Sequence, residues 1–365
     1  MDITYSRLKN EFEKYTLNTS QEEIQAYLEL EYEKNNFQHV LELLVQWGQR
    51  TGYYSPEMLK VNKHYSYLDQ ETGVRFTIQI NYQRDRYQPL PMQAANGMKL
   101  HCLICIENIG LPGKENLRVF QFRLPQNRKF FIQLTPYPLR EKHFVLVELA
   151  KNPMRMDKNS VADLVHFVDM APDYVGCSNS DVEWAGASIL AHHHYQVFEK
   201  LHLPIMQAKY HSDLQRNESE KITFGLLNFP MACCKIIMQN RTKFIEVCGE
   251  LIHAWKTMDP GRNTCNLIVH KQGADYVCYL IFRNPKFRTT EKWQAFKTEG
   301  VGIIEVAGEG ILPVPKGENA QYQFLTIQKN GLNVIKGIIG ENNPIQETHF
   351  PQHFQWICAV VEKSL

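Results

Sequence analysis

The sequence predicts an α+β fold. Two observations carry that expectation: an opening stretch whose apolar residues recur at helical spacing, and a long remainder in which strand-like alternation and amphipathic helical segments take turns.

Ser20 and Glu23 form a capping-box pattern, and Ile24, Tyr27, Leu28, Leu41, Leu44 and Val45 recur at helical spacing. Residues 20 to about 48 are therefore expected as two helices with a break near Asn35-Asn36. Val74 to Ile80 alternates like a strand, and Asp85 to Met98, with prolines and a glycine among polar residues, reads as a loop. Phe130 to Thr135 and Phe144 to Leu149 read as adjacent strands joined through Pro136-Tyr137-Pro138. Ser160 with Asp163 is expected to begin an amphipathic helix whose apolar side holds Val161, Leu164, Phe167 and Val168. A histidine-bearing strand follows and runs to Gln196. Beyond a charged, non-periodic link from Asp213 to Lys221, a strand-rich half starts near Ile222, with a helix from Phe244 to Trp255 and a strand from Val277 to Phe282. Cys233-Cys234 belongs to a strand or core segment of that half.

Composition narrows the function classes. The 365 residues are 44% hydrophobic and 22% charged, as in an ordinary globular protein. A net charge of +1 gives no reason to expect nucleic acid or a membrane surface as a partner, and leaves room for a small, locally recognised anion. Met1 to Tyr15 carries Asp2, Glu11 and Glu13 and does not read as a secretory signal, and no apolar run approaches the length of a membrane span. Nine scattered cysteines fit reduced thiols, so a cytoplasmic location is expected. Gly308-Glu309-Gly310 lacks the third glycine of a dinucleotide loop, and Gly110 to Lys114 lacks the spacing of a phosphate-binding loop. Neither a nicotinamide nor a flavin cofactor is expected.

The most informative stretch is Gly186 to Gln196, which sets His192, His194 and Gln196 two residues apart behind a small apolar run. On a strand those three share one face, and His193 and Tyr195 point the other way. A neutral imidazole, with an unperturbed pKa of about 6.5, is a competent nucleophile near neutral pH. Attack by His194 on phosphorus would give a phosphoramidate, and Gln196 could donate an N–H to a phosphoryl oxygen as charge develops there. Glutamine cannot shuttle a proton, so the pair suits a leaving group that is already a good anion, such as a sugar phosphate. Gly186 and Ala187 permit close backbone approach by a ligand, and Ser188 is a candidate partner for an outer phosphate. A solvent-facing strand end or a metal patch would show the same three histidines, and these residues alone leave all three readings open.

Cys102-Leu103-Ile104-Cys105 has the spacing of half a structural zinc site, and equally of two buried thiols. His143, beside a strand, is expected to be a hydrogen-bonded structural residue. Arg262, Lys271 and Arg283 are candidates for neutralising phosphates, with solvated surface charge as the commoner reading.

Ser178-Asn179-Ser180-Asp181 and Gly186 to Gln196 resemble the active-site segment of the galactose-1-phosphate uridylyltransferases, particularly the bacterial type-2 branch, within the histidine-triad superfamily. The resemblance extends in order through Cys102 to Asn108, Gln133 to Tyr137 and His143, and Pro153 to Asp157. It continues through Asn263-Thr264, Arg283-Asn284 and Ile304 to Pro313, and so covers roughly residues 55 to 315. It implies a histidine-triad-like fold of two related halves with antiparallel sheets and packed helices: a helical segment over residues 1–55, one half over 56–215 with the active-site strand, and a second over 216–365.

The function so implied is a ping-pong transfer in which His194 is uridylylated by UDP-glucose, glucose 1-phosphate departs, and galactose 1-phosphate accepts the nucleotide. Gln196 would hold phosphoryl oxygens, Asn179 and Ser188 would touch the nucleotide or its phosphates, and His192 would sit beside the nucleophile. A structural zinc on Cys102, Cys105 and His192, and a homodimer, are implied as well. Three positions depart from the family pattern: Asn152 stands where a histidine and metal ligand is usual, His193 replaces an acidic residue, and Val197-Phe198 replaces glycines and is expected to reshape the acceptor pocket. A phosphorylase or hydrolase using the same histidine, and a non-catalytic nucleotide-sugar binding protein, are the alternatives these departures motivate.

Overall fold

A computed structural model describes residues 19–82, 102–124, 127–135, 138–186, 189–218, 222–297 and 300–365. The loop expected over Asp85 to Met98, the Pro136-Tyr137 pair and Ser188 lie outside these residues.

Two helices lead, α1 (Gln21–Lys34) and α2 (Phe37–Arg50). Ser20 caps α1 through a reciprocal box with Glu23, and Asn36 caps α2 by accepting from the His39 amide at 2.9 Å. The break at Asn35-Asn36 is thus a helix stop followed at once by a new cap, as expected. Strands β1 (Lys63–Leu68) and β2 (Arg75–Ile80) form an antiparallel pair. Next come β3 (Val119–Arg123), β4 (Lys129–Leu134), β5 (His143–Glu148), helix α3 (Lys158–Met170), β6 (Tyr174–Ser178) and β7 (His194–Glu199). The chain continues through β8 (Tyr210–Glu218), β9 (Ile222–Leu227), β10 (Cys233–Met238), α4 (Arg241–Met258), β11 (Thr264–Gln272) and β12 (Asp275–Arg283). Strand β13 (Glu309–Leu312) and helices α5 (Ala320–Glu341) and α6 (Phe350–Ser364) complete it.

Strands β3 to β12 make one ten-stranded sheet in the order β3-β4-β5-β7-β6-β11-β12-β10-β9-β8. All of its pairings are antiparallel, and the order reads the same way inward from both ends: three consecutive strands, a helix in the connection, then two strands placed in reverse. The two series meet where Cys177 of β6 pairs with Ile268 of β11. One face packs on α1 to α4 and α6 through a core that includes Phe120, Leu146, Leu164, Phe244 and Ile357. Residues on the other face, including Val175, Phe198, Ile268 and Ile281, pack with β2, β13 and α5. There β13 runs parallel to β2, forming a three-stranded sheet with β1. No described helix is long and apolar enough to cross a membrane.

Three local expectations are corrected. Helix α3 starts earlier than Ser160: Asp157 is its cap, accepting from the Asn159 and Ser160 amides, while Ser160 and Asp163 lie inside the helix and are buried. Asp157 has the extended backbone a cap needs, with a carboxylate to accept the free amides. The link expected over Asp213 to Lys221 is largely β8, whose polar residues belong to an edge strand, where charge is a protection against further pairing. The histidine strand begins only at His194, since the backbone before it is held by other bonds: Met154 N–H donates to the Leu190 carbonyl and His193 N–H to the Asn152 carbonyl, both at 2.8 Å.

Candidate active site

Strand β7 lies between β5 and β6, deep in the sheet, and carries His194 opposite Val147 and Gln196 opposite Val145. Residues two apart share a face, so His194 and Gln196 project together. The Nδ1 of His194 sits 2.8 Å from the carbonyl oxygen of His192. A carbonyl can only accept, so the hydrogen-bond network assigns the proton to Nδ1 and leaves the lone pair on Nε2. Burial draws this imidazole down to about 4, outweighing the carbonyl contact that favours its charge, and keeps the ring neutral near pH 7.

His192 precedes the strand and faces elsewhere. Its Nε2 donates to the Glu148 carbonyl at 2.6 Å, which turns Nδ1 toward the sulfurs of Cys102 and Cys105, at 3.1 and 3.4 Å. The two sulfurs and the ring nitrogen all lie within 4.8 Å of one another. A backbone carbonyl orienting the far side of an imidazole is how metal-bound histidines are commonly held, and two thiolates with one nitrogen suit zinc. The Cys105 contact, helped by His192, draws the Cys102 thiol down to about 4, while the same contact and burial push Cys105 up. A dication is what would let both sulfurs ionise together. Asn152 turns its Nδ2 to Glu148 Oε2, to which it donates at 3.1 Å.

His193 turns to the helical side, as the strand-face reading expected. Its Nδ1 accepts from the Arg155 amide at 3.3 Å and its Nε2 donates to the Tyr195 hydroxyl at 2.7 Å, which donates in turn to Asp163 Oδ2 at 2.8 Å. Three consecutive histidines thus serve three environments.

Of the other expected site residues, Asn179 follows β6, and its Oδ1 accepts from the Ile303 amide at 3.2 Å. Gly186 has φ +98°, and a Cβ there would lie 2.7 Å from the Val301 carbonyl oxygen and 3.3 Å from Arg283 Nη1, so both backbone conformation and space demand glycine. His143 is packed and hydrogen-bonded, stacking on Phe198 at 4.1 Å and accepting the Leu139 amide at Nδ1. Its Nε2 and the Oε1 of Gln196 are buried neighbours on one sheet face, and the contact between the two side chains favours the charged imidazole without overcoming its burial.

Two expectations about the surroundings are corrected. Arg283 is not a solvated charge: fully buried, it donates to Asn266 Oδ1 at 2.6 Å and to the Val301 carbonyl at 3.1 Å, and burial lowers it to about 10. Its position ending the unbroken apolar run Val277 to Phe282 was the sequence signal of burial. Arg262 and Lys271 are paired with Asp259 and Asp169, in keeping with the bland reading. Val197 and Phe198 are fully buried on opposite faces of the sheet, each filling one of its two cores and not standing exposed beside Gln196.

Comparison with known proteins bears out the resemblance. A family model described as a domain of unknown function, DUF4922, matches residues 55–199. Galactose-1-phosphate uridylyltransferase 1 of Streptococcus pneumoniae is 26% identical over 319 residues, covering 78% of this chain and 61% of that protein. The galactose-1-phosphate uridylyltransferase of Clostridium acetobutylicum is 27% identical over 256 residues, covering 62% and 51%, and that of Fusobacterium nucleatum is 23% identical over 364 residues, covering 91% and 69%. The chain thus spans 61% and 51% of the first two relatives' lengths. Among solved structures, yeast Ap4A phosphorylase Apa2 in complex with AMP superposes with a TM-score of 0.53 at 10% identity, covering 86% of this chain and 99% of that one. The expected α+β, histidine-triad-like fold is borne out.

Proposed function

We propose that this relative of the galactose-1-phosphate uridylyltransferases is a nucleotidyltransferase acting on sugar 1-phosphates, with UDP-glucose as donor and a hexose 1-phosphate, by default galactose 1-phosphate, as acceptor. The observation that carries the reading is the 2.8 Å contact from His194 Nδ1 to the His192 carbonyl, which leaves Nε2 as an available nucleophile.

In the first step the Nε2 lone pair bonds to the α-phosphorus, the bond from that phosphorus to the bridging oxygen breaks, and glucose 1-phosphate leaves with the electron pair. In the second, a phosphate oxygen of the acceptor bonds to the same phosphorus and the P–N bond breaks, returning the pair to Nε2. Neither step moves a proton, which agrees with a partner residue, Gln196, that can only donate hydrogen bonds to the phosphoryl oxygens. The Nδ1–H contact to His192 holds the ring in place and supports the positive charge it carries while phosphorylated. Asn179 and Ser188 are read as nucleotide-side contacts. Cys102, Cys105 and His192 would hold a structural zinc, whose chemistry is to fix the loop leading into β7. Two halves over 56–215 and 216–365 and a homodimer belong to the same reading; the mirrored strand order supports two halves, with the second series starting at Tyr210.

UDP-glucose labelled at its α-phosphate is expected to leave acid-labile, base-stable label on the protein, and His194→Ala to abolish it. Equal labelling of the variant would sink the nucleophile assignment. No label on a folded, nucleotide-binding wild type would favour the non-catalytic reading. Galactose 1-phosphate, inorganic phosphate or water added to labelled protein separates transferase from phosphorylase and hydrolase.

A further inference from the structure

The end of the sheet where β3 and β5 finish and β4 begins opens into a cleft of about 730 Å³. Arg123, Arg128, Lys129 and Arg155 line it, together with Glu148 and Asn159. His194, Gln196, Asn179 and the cysteine–histidine cluster are not among its walls. Its volume is in the range of small-molecule sites.

The charges form two layers. In the inner one, Arg155 Nη2 donates to Glu148 at 3.1 and 3.3 Å, and Arg128 pairs with Asp163 and approaches Glu148 at 3.6 Å. Both carboxylates are buried, so the two guanidinium groups are held in fixed planes, with Arg128 Nε and Arg155 Nε left without an acceptor among the described residues. In the outer layer Arg123 and Lys129 are exposed and stand directly opposite each other in the β3–β4 register. Like charges at facing positions cost stability, and among the described residues neither forms an ion pair that would offset this. Arg123 donates to the neutral Asn127 side chain. Glu29 lines an adjoining cleft that shares Arg123 and Lys129, and it keeps its charge while accepting from Gln25 at 2.8 Å. Four cations against Glu148, Asp163 and the nearby Glu29 still leave a surplus of positive charge.

We propose that this cleft is a second ligand site, one that takes a small phosphorylated metabolite. A planar guanidinium fork presents parallel N–H groups to phosphate oxygens, and an ammonium adds a mobile point charge; one tetrahedral dianion can engage both. The chain's net charge of only +1 makes a local concentration of this kind stand out, and one short cluster of four cations fits a small phosphate ester better than a nucleic-acid backbone.

Titration calorimetry of the full chain with inorganic pyrophosphate at low ionic strength tests the site, alongside thermal melts. Wild type and His194→Ala are expected to bind alike, and the double variant Arg123→Ala, Lys129→Ala to bind at least about tenfold more weakly. Without ligand the double variant is expected to melt no lower than wild type, because it relieves a like-charge pair. Pyrophosphate should raise the melting temperature of wild type and leave the double variant unmoved. Undetectable binding to wild type, or equal binding by the folded double variant, overturns the proposal. So does a thermal shift that potassium chloride of matched ionic strength reproduces.

Discussion

His192, His193 and His194 are adjacent in sequence and chemically unlike. Each ring is assigned its tautomer by a backbone group: the Glu148 carbonyl for His192, the Arg155 amide for His193 and the His192 carbonyl for His194. One ring is thereby aimed at thiols, one at a hydroxyl, and one keeps Nε2 open. The residue types and their order were legible in the sequence; the tautomers were not, because backbone groups of β5, of the 152–155 segment and of His192 itself, placed only by folding, select them. Purified protein is expected to hold zinc in near-stoichiometric amount, and Cys102→Ser, which removes one of two thiolates, to lose most of it on dialysis against a chelator. Metal analysis showing the same content in both would exclude this cluster as the site.

Strand β7 sends side chains to both faces of the sheet. Tyr195 turns away from His194 and, fully buried, bridges His193 at 2.7 Å and Asp163 at 2.8 Å. Tyr195→Phe keeps the ring and deletes the bridge, leaving a buried carboxylate with Arg128 and one fewer donor. A loss of about 1–3 kcal/mol is expected in denaturant unfolding, with UDP-glucose labelling of His194 retained. Stability within about 0.5 kcal/mol of wild type would show the bridge to be inconsequential. Alternation correctly separated His193 and Tyr195 from His194 and Gln196. It overextended the strand, because periodicity registers which residues alternate and not which backbone groups find strand partners. The α1–α2 break, by contrast, was readable since both caps are local interactions of Ser20 and Asn36 with amides three residues on.

At the scale of the whole molecule, burial of neutral imidazoles sets a pH dependence. His143 and His353 are both lowered to about 3 by burial, and His353 is packed among Trp255, Phe282 and Trp356. The unfolded chain takes up these protons near pH 6.5 and the folded chain does not until about pH 3, so the unfolded state binds more protons in between. Their contribution to stability is complete above about pH 6.5 and declines as pH falls toward 3, by up to about 1.4 kcal/mol per pH unit for each group. His353→Phe keeps an aromatic ring in the pocket and removes one titration. Its unfolding free energy is expected to fall less steeply than that of wild type between pH 7 and 5, and parallel profiles would refute the assignment.

Helices α1, α2 and α4, the Ser20 cap, the strands at β2, β4, β5 and β12, and the residues of the candidate site in their order are properties the sequence alone determined, because caps, alternation and motif spacing act over a few residues. Tertiary structure decided the rest. It joined β6 to β11, so that the two strand series became one sheet, and it buried Arg283 against Asn266 and the Val301 carbonyl beside Gly186. It also brought Cys102 and Cys105 to His192, and it sent Val197 and Phe198 into separate cores. These outcomes depend on contacts between residues far apart in the chain, whose energies come from desolvation and pairing on assembly and leave no periodic trace in any one segment.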